Sequence, residues 1–140
     1  MHAPRTWWRI PLAVGAVAVR ADQLLLVRRG RGPAAGRWSV PGGRVEVDEP
    51  VAAAVVREVA EETGLEVVVD DLLGWVERFD DGDHFVILDF SVTVLDPDVP
   101  LAAGDDAAEA MWVPWDEVAV LPLVDGLFEF LEDVDARSLG

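Results

Sequence analysis

Between Gly43 and Leu65 the chain places five glutamates and two arginines in one short segment that opens on Gly43 and carries Gly64 at its end. Near its end, Arg57-Glu58-Val59-Ala60-Glu61-Glu62 sets three carboxylates at relative positions 0, 3 and 4, which an α-helix stacks on one face. Like charges at that spacing repel, and the usual agent that offsets such repulsion is a hard divalent cation with a preference for oxygen ligands. A run of carboxylates is most often only a solvated helix face. Here no basic residue follows the glutamates at i+4, and Ala52, Val55, Val56, Val59 and Ala60 form an apolar stripe. The pattern predicts one face that packs and one that coordinates.

The same segment must therefore be loop, helix and loop. Pro50 suits a first helical turn, Asp48 or Glu49 can serve the N-terminus, and Gly64 after Thr63 supplies the stop. In front of it, Pro41-Gly42-Gly43 permits a tight backbone path with a carbonyl turned toward the helix, a neutral oxygen for a metal.

These residues fill the pattern G-x5-E-x7-R-E-U-x-E-E-x-G-U, with U aliphatic, at Gly43, Glu49, Arg57, Glu58, Val59, Glu61, Glu62, Gly64 and Leu65. That pattern is the signature of the Nudix hydrolases, which the chain resembles. Trp38 to Gly43 looks like the strand and turn that lead into the Nudix box, and Met111-Trp112-Val113-Pro114 like the family's last strand. The resemblance implies an α/β/α sandwich with a mixed sheet and hydrolysis of a diphosphate linkage with Mg²⁺ or Mn²⁺. Such an ion would neutralise phosphate charge and make a water more acidic. By the same resemblance Glu58 and Glu62 would be direct ligands, Glu61 a ligand or the group orienting the nucleophile, and Gly42 a ligand through its carbonyl. Arg57 would be a positioner holding a carboxylate bidentately, Glu49 or Glu61. Gly43, Glu49 and Gly64 would be structural. Glu46 is either a supporting rim carboxylate or plain surface.

Nudix enzymes often draw a further acid from outside the box, and Gly104-Asp105-Asp106-Ala107-Ala108-Glu109 offers three. The run is similar to the ADP-ribose pyrophosphatase branch, with Asp106 and Glu109 preferred as base and ligand and Asp105 as a substrate contact; on composition alone it is a polar turn. Arg28 and Arg29 end a strand, and the resemblance gives Arg29 a phosphate contact, with Arg37 and Arg44 in reserve. Trp75, Phe79 and Phe85 are more often core than platforms for a base. The adjacent Trp7 and Trp8 suggest a nucleoside pocket or a dimer contact, and His84 reads as structural or rim.

The elements that must position these groups read as follows. Leu12 to Arg20 and Gln23 to Arg28 form a hairpin about Ala21-Asp22, and Arg29 to Arg37 is a loop. Trp38 to Val40 and Arg44 to Glu46 are short strands. Leu65 to Val69, Leu72 to Phe79, His84 to Leu95 and Ala110 to Val113 are further strands, and Asp116 to Val118 with Leu123 to Val134 make a second amphipathic helix. The 140 residues suffice for one domain, 1–140, with no repeat and no linker. No apolar run is long enough to span a bilayer, and Met1 to Arg9 lacks a signal-like apolar region, which points to a soluble cytoplasmic protein without a membrane partner. Cysteine is absent, excluding disulfides and thiolate chemistry.

Net charge is −16, from 27 acidic residues against 11 basic ones, so nucleic acid is excluded as a partner. All 11 are arginine; lysine, asparagine and tyrosine, whose codons are AT-rich, are missing, which reads as a GC-rich genome. The expected function is a metal-dependent pyrophosphohydrolase acting on a small nucleoside diphosphate derivative, ADP-ribose favoured, as a homodimer. The alternatives are a MutT-like nucleoside triphosphate pyrophosphohydrolase and a non-catalytic nucleotide-sensing domain.

Overall fold

The computed structural model describes residues 10–32, 34–80, 82–104 and 107–140. Its first strand, β1 (Leu12–Arg20), is buried from Ala13 to Ala18 and belongs at the centre, while Ala21 and Asp22, both at positive φ, turn it into β2 (Gln23–Arg29). Two left-handed residues match the twist of a tight hairpin. β3 (Trp38–Ser39) and β4 (Gly42–Arg44) follow, then α1 (Val51–Thr63), β5 (Val67–Asp80), β6 (Asp83–Val94) and β7 (Ala107–Pro114). Two short helices, α2 (Trp115–Val118) and α3 (Leu127–Asp133), and a 3₁₀ turn over Ala136–Leu139 close the described chain.

The sheet is mixed. Its order is β3-β2-β1-β6-β5, with β4 also on β1 and β7 also on β2; β1 and β6 run parallel and the other pairs antiparallel. Alternation along β1 separates two cores. Val14, Ala16 and Ala18 meet Ala54, Val55 and Val59 of α1, whereas Val17 joins Leu24, Leu26, Trp38 and Val113 under Val118, Leu127, Leu131 and Ala136. The expected α/β sandwich is present. No helix among the described residues is long and apolar enough to cross a membrane.

Several boundaries differ from the sequence reading. Leu65 to Val69 and Leu72 to Phe79 are one strand, β5, because its register shifts between Val69 and Gly74 absorb the acids that suggested a break. There Asp70 accepts a hydrogen bond from Thr93 Oγ1 at 2.6 Å, and the Asp71 amide donates to Ser91 Oγ at 3.1 Å. β4 takes in Gly42 and Gly43 and ends at Arg44, since glycine alone lets this backbone lie against β1: a Cβ on Gly42 would collide with the Val14 carbonyl. β7 begins at Ala107, three residues early, carried by its ladder with β2. The second helix is two short ones. Trp38 draws the chain out between them, its amide donating to the Pro122 carbonyl and its carbonyl accepting from Val124, and Gly126 at φ 82° restarts the helix.

Candidate active site

α1 starts from Pro50 without a side-chain cap, so neither Asp48 nor Glu49 serves there. Asp48 occupies a left-handed turn, and Glu49 is committed to Arg57. At the other end Gly64 at φ 77° returns its amide to the Ala60 carbonyl, and Thr63 Oγ1 donates to the Val59 carbonyl at 2.7 Å. No basic residue stands in the last turn, yet Glu61 and Glu62 do. Carboxylates beside the negative end of a helix dipole add to their own repulsion.

The apolar stripe is shifted from the expected one. Ala54, Val55 and Val59 are buried, while Ala52, Val56 and Ala60 face solvent. The packed face therefore runs beside Glu58 and Glu62, which are largely enclosed, and leaves Glu61 57% exposed. The three glutamates do not form one solvated face.

Arg57 ties the segment together. Its Nε and Nη2 hold Glu49 bidentately at 2.7 and 2.9 Å, Nη1 donates to Glu58 Oε1 at 2.8 Å and more loosely to Glu61 at 3.3 Å, and Nη2 also donates to the Arg44 carbonyl at 3.0 Å. Of the two carboxylates expected to be gripped, Glu49 has the fork and Glu61 a long contact. The hydrogen bonds from Arg57, with a second from the Glu46 amide, pull the Glu49 carboxyl down to about 2, and Arg57 is raised correspondingly. The Glu46 carboxylate stays at the rim, 3.8 Å from Arg57.

Glu58 lies against bare backbone. A Cβ on Gly43 would stand 2.5 Å from the Glu58 carboxyl carbon, so β4 admits only glycine where the box glutamate crosses it. Glu62 accepts a hydrogen bond from the Gly42 amide at 2.8 Å. Burial first, and then the neighbouring Glu58, push its carboxyl up to about 8, against the pull of Gly42 and of Arg29. Two hard oxygen donors thus share an enclosed corner that resists holding two negative charges, which fits a divalent cation in donor type and charge. Among the described residues no three acids already converge on one point, and Glu58 and Glu62 are held by Arg57 and the Gly42 amide.

Beside this corner a cleft of about 530 Å³ opens between the sheet and α3. Gly42, Gly43, Arg44 and Arg29 line its box side, and Phe85, Ile87 and Phe130 its walls. Arg29 and Arg44 thus stand beside the box. Arg28 does not share that position: its Nε and Nη2 hold Glu109 Oε1 at 3.1 and 2.8 Å across the β2–β7 register. The structure accordingly brings Glu109 to an arginine, while Asp105 and Asp106 fall outside the described residues. The loop just ahead of them is closely seated on the box, since the Gly104 amide donates to the Glu62 carbonyl and a Cβ on Gly104 would collide with that of Glu61. Arg37 donates to the Leu123 carbonyl, and His84 pairs with Glu77 at 2.8 Å and stacks on Phe79. Trp7 and Trp8 lie outside the described residues.

One cleft residue, Asp89, lies outside the box and was not among the residues its motif singled out. Asp89 sits mid-strand on β6, on the same alternating face as Phe85 and Ile87, and is 6% exposed. An acid at an inward position of an apolar strand is a legible anomaly.

A family model described as "NUDIX domain" matches residues 9–134. The chain belongs to the Nudix family. This Nudix chain is 41% identical over 102 residues to the ADP-ribose pyrophosphatase of Methanocaldococcus jannaschii, a match covering 71% of the chain and 59% of that relative. It is 47% identical over 64 residues to the MutT-like protein of Streptomyces ambofaciens, covering 45% of the chain and 40% of the relative. The matches thus span less than two thirds of these relatives' lengths. Among solved structures, the MutT NUDIX hydrolase from Burkholderia pseudomallei superposes with a TM-score of 0.76 at 30% identity, covering 89% of this chain and 98% of that one.

Proposed function

We propose that this Nudix chain is a divalent-metal-dependent pyrophosphohydrolase that cleaves the diphosphate linkage of a nucleoside diphosphate derivative, with ADP-ribose the favoured substrate. The observation that carries this reading is the enclosed pair Glu58 and Glu62, held by Arg57 and the Gly42 amide at the mouth of a cleft lined by arginine. The resemblance to an archaeal ADP-ribose pyrophosphatase supports the substrate.

Glu58 and Glu62 would hold Mg²⁺ or Mn²⁺, with a backbone oxygen near Gly42 completing the set. When bound, the ion neutralises charge developing on the diphosphate and acidifies a nearby water. The remaining work falls to the chain. Arg29 meets a phosphate at the mouth of the cleft, and Arg57 keeps Glu58 from turning away. Water attacks one phosphorus of the P–O–P linkage, forming a P–O bond as the bridging P–O bond breaks, and yields AMP and ribose 5-phosphate. Glu61, held only loosely by Arg57, takes the water's proton; this favours it over Glu109, which is engaged by Arg28. A homodimer completes the reading, supported by Trp75 and Phe79, 61% and 70% exposed on β5 at the end of the strand order.

The purified protein with Mg²⁺ or Mn²⁺ is expected to release AMP from ADP-ribose and to stop on chelation by EDTA. Hydrolysis of dGTP without hydrolysis of ADP-ribose would select the MutT-like alternative, which the Streptomyces relative supports. Binding of ADP-ribose without turnover under either ion would instead indicate a sensor. Sedimentation showing only monomer would refute the dimer.

A further inference from the structure

Asp89 is a buried carboxylate that no step above uses. Among the described residues no hydrogen bond or ion pair reaches it, although burial alone lifts its carboxyl to about 6. An unpartnered acid in an apolar setting is costly, and a native fold keeps one where something else meets it.

The strands on either side make room for this group. β1 carries Gly15 beside Asp89 and β5 carries Gly74, and a Cβ on Gly15 would collide with Asp89 Oδ1. Phe130 reaches from α3 across Gly74, its Cε1 3.1 Å from where a Cβ would stand. Asp89 is therefore a polar spot on the floor of a slot with Val76, Ile87 and Phe85 on the sheet side and Phe130 above. Arg29 and Arg44 line the same cleft at the box.

That order of groups has a chemical match. A flat ring fits between apolar walls, whereas the hydroxyls of a sugar would be left without partners there. Phosphates would extend toward the arginines and the box. A carboxylate on the floor accepts hydrogen bonds, so the ring must bring an N–H donor to its inner edge.

We propose that Asp89 reads the base of the substrate, accepting a hydrogen bond from the exocyclic amino group of a nucleobase seated in this cleft. The proposal rests on the nucleotide-hydrolase reading and adds a determinant outside the box. It makes Asp89 a specificity residue rather than a participant in bond cleavage.

Calorimetric binding of AMP and of purine riboside 5′-monophosphate, which differ only by the amino group, tests it in the presence of Mg²⁺. GMP against IMP, which differ by the 2-amino group, forms a second pair. Wild type is expected to favour AMP by about tenfold or more, the effect of one hydrogen bond to a charged group. In Asp89→Ala, which removes the acceptor, that preference should shrink to within about twofold, and in Asp89→Asn, whose amide oxygen is a neutral acceptor, it should fall part of the way. Ile87→Ala, on the neighbouring apolar wall, should weaken both ligands and keep the preference. Equal binding of both members of each pair by wild type, binding of none of them, or a preference untouched in both Asp89 variants would overturn the proposal. If ADP-ribose is not hydrolysed but the preference follows Asp89, the function reading fails and this one stands; turnover with a preference indifferent to Asp89 sinks this one alone.

Discussion

Arg57 is the residue on which the geometry of the box turns, because one guanidinium serves Glu49, Glu58, Glu61 and the Arg44 carbonyl. Lysine keeps the charge but offers a point donor in place of a planar fork. Arg57→Lys is accordingly expected to lower kcat on ADP-ribose by roughly 10- to 100-fold while leaving most of the binding intact, a split that steady-state kinetics would show. Rates within twofold of wild type would reduce Arg57 to a surface ion pair. Glu62 makes the complementary case. Its burial beside Glu58 disfavours a second charge when no cation is present, so Glu62→Gln should remove a ligand without harming the fold. Turnover should fall by about 100-fold or more, with a melting temperature equal to or above that of wild type in EDTA. Should turnover stay within a few-fold, the assignment of Glu62 to the metal is wrong.

The box helix combines local spacing with burial set by distant strands. Residue spacing along α1 is local, so Glu58, Glu61, Glu62 and the stop at Gly64 were legible without a structure. The depth of each glutamate was not, since it depends on which side of α1 meets Val14 and Ala16 of β1. Strand register is likewise non-local: Glu109 meets Arg28 only because β7 lies on β2, and Asp89, without a partner among the described residues, has Gly15 and Gly74 on either side. Trp38 broke the predicted second helix through backbone bonds that no periodicity records. The shifted stripe gives its own test. Val59 is fully buried and Val56 is 37% exposed, although the sequence treated them alike. Val59→Ala is expected to cost about 2 kcal/mol and Val56→Ala under about 0.5 kcal/mol in urea denaturation. Equal costs would mean that α1 does not pack as described.

For the whole molecule, the charge of −16 makes compaction work against self-repulsion, and Asp89 adds a buried acid to that load. The two effects can be separated by pH and salt. Asp89 has a folded pKa of about 6 against an ordinary 3.8, so the folded state binds its proton more tightly than the unfolded one. Its contribution is fully present below pH 3.8 and is lost as pH rises through 6. The loss should be on the order of 2 to 3 kcal/mol. Arg29, Arg44, Glu77, Asp83 and Asp125, all exposed, and the half-buried Arg78 line the same cleft, and as a set of both signs at the surface they respond to screening in a way that a buried group does not. Glu49 acts with the opposite sign: depressed to about 2, it stabilises above its ordinary 4.5 and that contribution is lost as pH falls toward 2. Metal-free protein should therefore lose stability on going from pH 4.5 to pH 7 in low salt. Added NaCl at about 0.5 M, where the Debye length is about 4 Å, should recover the part due to surface repulsion and leave the part due to the two enclosed acids, Asp89 and Glu62, whose carboxyls burial raises to about 6 and about 8. Asp89→Asn should reduce that remaining slope, leaving the share of Glu62, and raise stability at pH 7. If the slope in high salt is the same in Asp89→Asn as in wild type, the carboxylate already has a partner in the folded protein.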